Sequence, residues 1–343
     1  MSEIKRQTEF DILRLLATLA VIMIHGGLNP LTDNLMIKYM YRGMHAAIVW
    51  CVPVFFMISG RFFLDPERDV STKKILTVYL PHIIVPFLVW SGVYTAYGLI
   101  SGSYSHLSTF GVIAEFIHGP YHLWFLYSLA GLYLLTPILR KTAADGKTLA
   151  YFLIMFAAVN VVTQYLIYVP KIGGMISDFI ERTGLRAVTG YMGYFMLGYF
   201  LYSKKDNMSK KTETAIYVIG ILMLIATIAA ECFISEELRK TDFVKQYMKP
   251  NVILYSAAIY TFFVMKMSKI HYSKRTRKVF AVFTECGFGV YCIHAILNEF
   301  VPTPVIKSLP FITSLLRVAC LYALSLALTW LIRKIPFVGK KIT

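Results

Sequence analysis

FDILRLLATLAVIMIHGG, residues 10–27, is an apolar run that carries an arginine and a histidine where neither is expected without a reason. At 1.5 Å per residue, eighteen helical residues rise about 27 Å, close to the ~30 Å of a hydrocarbon layer. Arg14 and His25 stand eleven residues apart, so at ~100° per residue His25 returns to within about 20° of the direction of Arg14, roughly 16 Å along the axis. A charged side chain at mid-membrane costs about 2.5 to 3.5 kcal/mol on insertion scales and is expected to face protein or an aqueous cavity. Taken singly, Arg14 reads as a side chain snorkelling to headgroups and His25 as an interfacial histidine. Their shared face, with only apolar and small residues between them, favours a functional pair. Arg14 suits an anionic or carbonyl group, and His25 a general base near neutral pH. The run ends in HGGLNP rather than at a small-residue cleavage site, so it is expected to remain as the first helix.

The same arithmetic extends along the chain. Hydrophobic residues make up 57% of the 343 and charged residues only 16%, more apolar side chain than one globular core would bury. Ten runs are long enough to cross a membrane: approximately 11–28, 42–63, 76–100, 121–139, 149–169, 187–203, 214–233, 250–268, 279–300 and 311–333. The sixth is the shortest, and Gly190, Gly193 and Gly198 within it are small residues that let membrane helices approach closely. The expected protein is an all-α integral membrane protein of about ten transmembrane helices, one polytopic domain over residues 1–343. LSTFGVIAEFIHG, residues 107–119, is too short to span and is a candidate interfacial helix.

The formal charge of +16 comes from Lys and Arg in short tracts between apolar runs, the strongest being KKDNMSKK at 204–211 and the cluster from Lys266 to Lys278. These tracts concentrate on one side when loops are taken alternately, which predicts both termini cytoplasmic and argues against nucleic acid as a partner. Their ordinary role is to fix topology and touch anionic membrane lipid. Cys51, Cys232, Cys286, Cys292 and Cys320 all fall in apolar segments without CxxC spacing, so neither a disulfide framework nor a metal site is expected.

Further polar residues sit in or beside the spans. Arg42 and His45 stand at the outer mouth of the second, whose inner end is closed by Ser59, Gly60 and Arg61; Pro53 kinks it or simply packs. His122 opens the fourth span near the depth of His25, beside Trp124 and Tyr127, which fit an aromatic belt. In the ninth, Thr284, Gly287, Tyr291, His294 and Asn298 recur at spacings of three and four and form one polar stripe, a pattern that often only glues helices together. Glu285 lies off the stripe and is expected to pair with the basic loop before it. His82 and Arg317 are intramembrane residues without a local pattern.

The Arg-x10-His first helix, VPVFFMISG at 52–60, HLWFLY continuing to LYLLTP at 122–137 and FGVYCIH at 288–294 together resemble the membrane acyltransferase-3 family, in order and over nearly the whole chain. The resemblance implies transfer of an acyl group, most often acetyl, from cytoplasmic acetyl-CoA to a hydroxyl of a cell-envelope carbohydrate or lipid-linked sugar at a bacterial plasma membrane. Arg14 and His25 match the family's functional arginine and histidine. His25 would deprotonate the acceptor hydroxyl or carry the acyl group transiently, and Arg14 would orient the donor or stabilise oxyanion charge. Arg61, Lys73 and Lys74 are candidate contacts for the CoA phosphates, and Arg42, His45, His122, Tyr291 and His294 are candidates to line the groove or meet the acceptor.

The sequence departs from the family where many relatives carry an arginine pair before the third span: here Lys73 and Lys74 come earlier, with Tyr79 and His82 nearer the equivalent place. With no fused envelope domain, either the chain acts alone or a separate envelope partner protein completes the transfer. The competing class is a membrane transporter of a small polar solute such as an amino acid, which flux rather than acetyl-CoA binding would reveal; a third, a sensor or scaffold, would tolerate loss of both Arg14 and His25.

Overall fold

In the computed structural model, residues 6–27, 34–234, 243–302 and 310–343 are described, and among them every regular element is helical. Polar caps at the loops start several of the helices. The side chains of Asn34, Ser108, Asp145, Ser209 and Ser273 each accept from backbone N–H groups of the following first turn. The helices that matter for the site are α1 (Thr8–Ile22), α2 (Leu35–Ile48), α3 (Cys51–Phe63), α4 (Pro81–Ile100), α5 (Thr109–His118), α6 (Trp124–Ala144), α7 (Gly146–Gln164), α8 (Gly173–Arg182), α9 (Tyr191–Ser203), α10 (Lys210–Phe233), α11 (Pro250–Met265), α12 (Lys274–Phe300) and α13 (Pro310–Ile332).

Nine helical segments among the described residues are long and apolar enough to cross a membrane, which makes this a multi-spanning membrane protein. The sequence predicts about ten, and the difference lies in the sixth run. It folds as α9, thirteen residues rising only about 20 Å, preceded by a short 3₁₀ turn at Leu185–Val188. α9 is buried by protein: Tyr194, Phe195 and Met196 are inaccessible. The interfacial candidate is a helix, α5, and a second short helix, α8, occupies the loop before α9.

Glycine sets the closest helix pair. A Cβ on Gly60 of α3 would lie 1.8 Å from the Phe195 carbonyl oxygen, and one on Gly198 of α9 would lie 2.1 Å from that of Met57. The two backbones therefore touch, as small residues permit in membrane helices. The second span is interrupted between α2 and α3 at Val49 and Trp50. Pro53 lacks the N–H that would otherwise bond the Val49 carbonyl, which accounts for the break.

α1 sits at the centre, packed on α3 and α12, while α12 also packs on α13 and α10 on α11. Phe10, Leu13 and Ala17 of α1 join Cys51, Val54, Phe56 and Met57 of α3 in the main apolar core.

Candidate active site

α1 does not end as an α-helix. Met23–Gly27 continues it as a π-helical turn that carries His25, and such widened turns recur at functional sites because they free backbone carbonyls and re-aim side chains. Side chains of α12 and α13 hold the carbonyls of this turn. Asn298 Nδ2 donates to the His25 carbonyl at 3.3 Å, and Arg317 Nη1 donates to the Gly26 carbonyl at 2.6 Å. Arg317 Nη2 also holds the carbonyls of Asn298 (3.1 Å) and Val301 (3.3 Å). Gly26 and Gly27 make the approach to α13 feasible: a Cβ on either would lie 2.6 Å from Leu321 Cδ1 or Val318 Cγ2. Arg317, which has no pattern in sequence, is thus the clamp that fastens the His25 turn to α12 and α13.

Beside this turn lies a cavity of about 340 Å³ lined by Arg14, Thr18, His25, Ser59, His122, Thr284, Tyr291 and His294, with Phe55, Trp124, Phe125 and Tyr247 among its aromatic walls. Arg14 and His25 do face one space, as their spacing predicts, and four members of the α12 stripe (Thr284, Gly287, Tyr291, His294) line it, while the fifth, Asn298, supports the His25 turn.

Three histidines meet at one end. His25 Nδ1 lies 2.8 Å from His294 Nε2, with the rings within 10° of parallel. His294 Nδ1 lies 2.7 Å from the Tyr291 carbonyl oxygen, and the Tyr291 hydroxyl donates to the His122 carbonyl. The His122 ring stands edge-on to His25 and His294, centroids 6.4 and 5.2 Å away. It is 1% exposed, yet neither ring nitrogen has a hydrogen-bond partner, so a polar group entering the cavity would find one there. Tyr94 bridges one turn of α12 at this level: its hydroxyl donates to the Cys292 carbonyl and accepts from the Ile296 N–H, both at 2.9 Å. No group of histidine, cysteine and carboxylate side chains among the described residues has metal-ligand geometry.

At the other end Arg14 lies over the Phe62 ring, 5.1 Å from its centroid, and 3.8 Å from Asp11. Among the described residues no side-chain hydrogen bond consumes its guanidinium donors, which leaves them for a ligand. Asp11 is buried and takes a 2.7 Å bond from Arg6. Arg6 belongs to a second, open concavity of about 1050 Å³, whose cations are Arg6, Lys205, Lys210, Lys266, Lys269 and Arg277.

The other sequence candidates lie apart from the cavity. Arg61 is 6% exposed, bonded to Asp65 at 2.6 Å and stacked 3.4 Å above the Tyr202 ring. Lys74 pairs with Asp69, and Lys73 is exposed. Arg42 lies over the Tyr39 ring. His45 borders a separate pocket of about 320 Å³ that shares Tyr247 with the main cavity. His82 bonds the Val78 carbonyl of its own helix at 2.5 Å. Glu285 pairs with Arg6 (2.9 Å) and reaches Arg333 (3.9 Å), so its partners come from the two ends of the chain rather than from the basic loop before it. Trp124, by contrast, is a wall of the main cavity and packs with Tyr191 and Tyr247, at ring distances of 5.2 and 5.9 Å.

The family model of the acyltransferase-3 group, described as an acyltransferase domain, matches residues 7–334. The chain belongs to that family, which makes it an acyltransferase-type membrane enzyme. No curated protein and no solved structure matches it.

Proposed function

We propose that the protein transfers an acetyl group from cytoplasmic acetyl-CoA to a hydroxyl of a cell-envelope carbohydrate or a lipid-linked sugar, with His25 as general base. The observation that carries this reading is the single cavity that holds Arg14 at one end and His25, with two more histidines, at the other. The thioester would lie between the two ends with its carbonyl oxygen toward a hydrogen-bond donor. Arg14 supplies free donors to the acyl donor, and the aromatic walls exclude competing water.

The donor's phosphates are assigned to the open basic concavity, which Arg6 and Asp11 connect to Arg14. Arg61 and Lys74, already paired with Asp65 and Asp69, then act indirectly by shaping the same end of the protein, and Lys73 remains an exposed contact for phosphate. The acceptor would enter past Tyr247 and His45, on the side of the histidines. In this reading the basic end and both termini lie in the cytoplasm.

In nanodiscs the purified protein is expected to bind acetyl-CoA saturably and to hydrolyse it slowly. His25→Ala should lower turnover by about 10²- to 10⁴-fold with binding retained, whereas Arg14→Ala should weaken binding as well. Absence of acetyl-CoA binding together with solute flux into vesicles would replace this reading with transport.

A further inference from the structure

We propose that His294 is a positioning residue that holds His25 in the tautomer with its proton on Nδ1, so that Nε2 presents its lone pair to the acceptor hydroxyl. The proposal rests on the reading of His25 as the group that acts on that hydroxyl.

The assignment follows from a chain of hydrogen bonds with one fixed end. A backbone carbonyl only accepts, so His294 Nδ1, 2.7 Å from the Tyr291 oxygen, carries a proton. His294 is 1% exposed and no carboxylate contacts it among the described residues, so a second proton would leave an uncompensated charge in a buried site. Its Nε2 is therefore an acceptor. Two acceptors do not bond at 2.8 Å, so His25 Nδ1 is the donor across that distance. In neutral His25 the remaining nitrogen, Nε2, is then unprotonated. It has no hydrogen-bond partner among the described residues, and the residue lines the cavity.

The near-parallel rings suit a bond in the imidazole plane, and the anchor itself is tied down, because Tyr291 donates its hydroxyl to the His122 carbonyl. A neutral imidazole thus stands where a carboxylate orients the base in a serine-type triad, and it directs without contributing a full negative charge.

The step balances on His25 alone. Nε2 takes the acceptor's hydroxyl proton as its oxygen attacks the thioester carbonyl carbon. The new C–O bond forms, the C–S bond breaks, and the CoA sulfur leaves with the proton returned from Nε2. The Nδ1–H bond to His294 persists throughout.

The test is ¹⁵N-histidine NMR of the full chain in nanodiscs, with the His25 signal assigned by its loss in His25→Phe, alongside acetyl-CoA turnover. The wild type should show His25 protonated on Nδ1. His294→Gln, whose side-chain oxygen can accept the same bond, should keep that tautomer and turnover within about tenfold of wild type. His294→Leu should populate the Nε2–H tautomer and lose kcat by about 100-fold with KM for acetyl-CoA unchanged. An Nε2–H tautomer in the wild type overturns the proposal without any variant, as does an unchanged tautomer in folded His294→Leu. An Nδ1–H tautomer that depends on His294, in a protein without acetyl-CoA turnover, supports the assignment and overturns the acyltransferase reading instead.

Discussion

Arg317 shows how a residue remote from the chemistry can govern it. Its guanidinium ties three backbone carbonyls, of Gly26, Asn298 and Val301, in the widened turn and at the end of α12. Arg317→Met is expected to leave them unpaired, at about 1–3 kcal/mol for each group left buried. The expected readout is a lower unfolding temperature in detergent together with at least a tenfold loss of turnover. Lysine at this position should restore part of the stability but not the three-way geometry, because it lacks the fork. Arg14 and His25 are legible in sequence because about three turns of one helix separate them. His294 and Arg317 stand out in the sequence as polar residues within spans, but what they bond does not, because those partners lie 269 and 291 residues away. The stripe on α12 signals that a face is special without saying what it meets. His122 is recognisable as a residue at the right depth; that both its nitrogens are left unpartnered emerges only from packing.

Among the elements, α3 and α9 form the most demanding contact. Gly60→Ala or Gly198→Ala would drive a methyl group into a backbone carbonyl of the facing helix. Each is expected to lower stability by about 1–3 kcal/mol or more, since neither backbone can yield without moving its core. Gly131→Ala on α6 is the control: its Cβ would meet nothing within 4 Å, so the helix gains propensity and the unfolding temperature should hold or rise. Thermal unfolding of the three variants in one detergent decides the matter. Hydropathy delineates nine long helices well because each must satisfy its backbone within lipid. It is least informative for α9, because a helix wrapped in protein is apolar for a different reason from one wrapped in lipid. The glycines in this run are the better signal, since Gly193 and Gly198 both sit where a side chain would collide.

For the whole molecule, α9 also decides topology. If it crosses the membrane together with the nine longer helices, both termini share a side. Reporter fusions at residue 343 and in the basic tract 204–211 should then both report the cytoplasm. A fusion at residue 103, between α4 and α5, should report the outside. Opposite locations for residue 343 and the N-terminal end would mean that α9 re-enters rather than crosses. The charge pattern predicts an orientation, while the parity depends on one thirteen-residue helix that composition alone does not settle.

The clamp on the His25 turn has a consequence for biogenesis. The first helix is synthesised early, but its histidine end is held by Asn298 and Arg317, whose partners on that turn lie 273 and 291 residues before them. A nascent chain lacking α13 would hold every cavity-lining residue except Tyr322, yet its histidine turn would lack a mould. Turnover is therefore expected only once α13 has docked, and a truncation before residue 310 should insert normally while remaining without turnover.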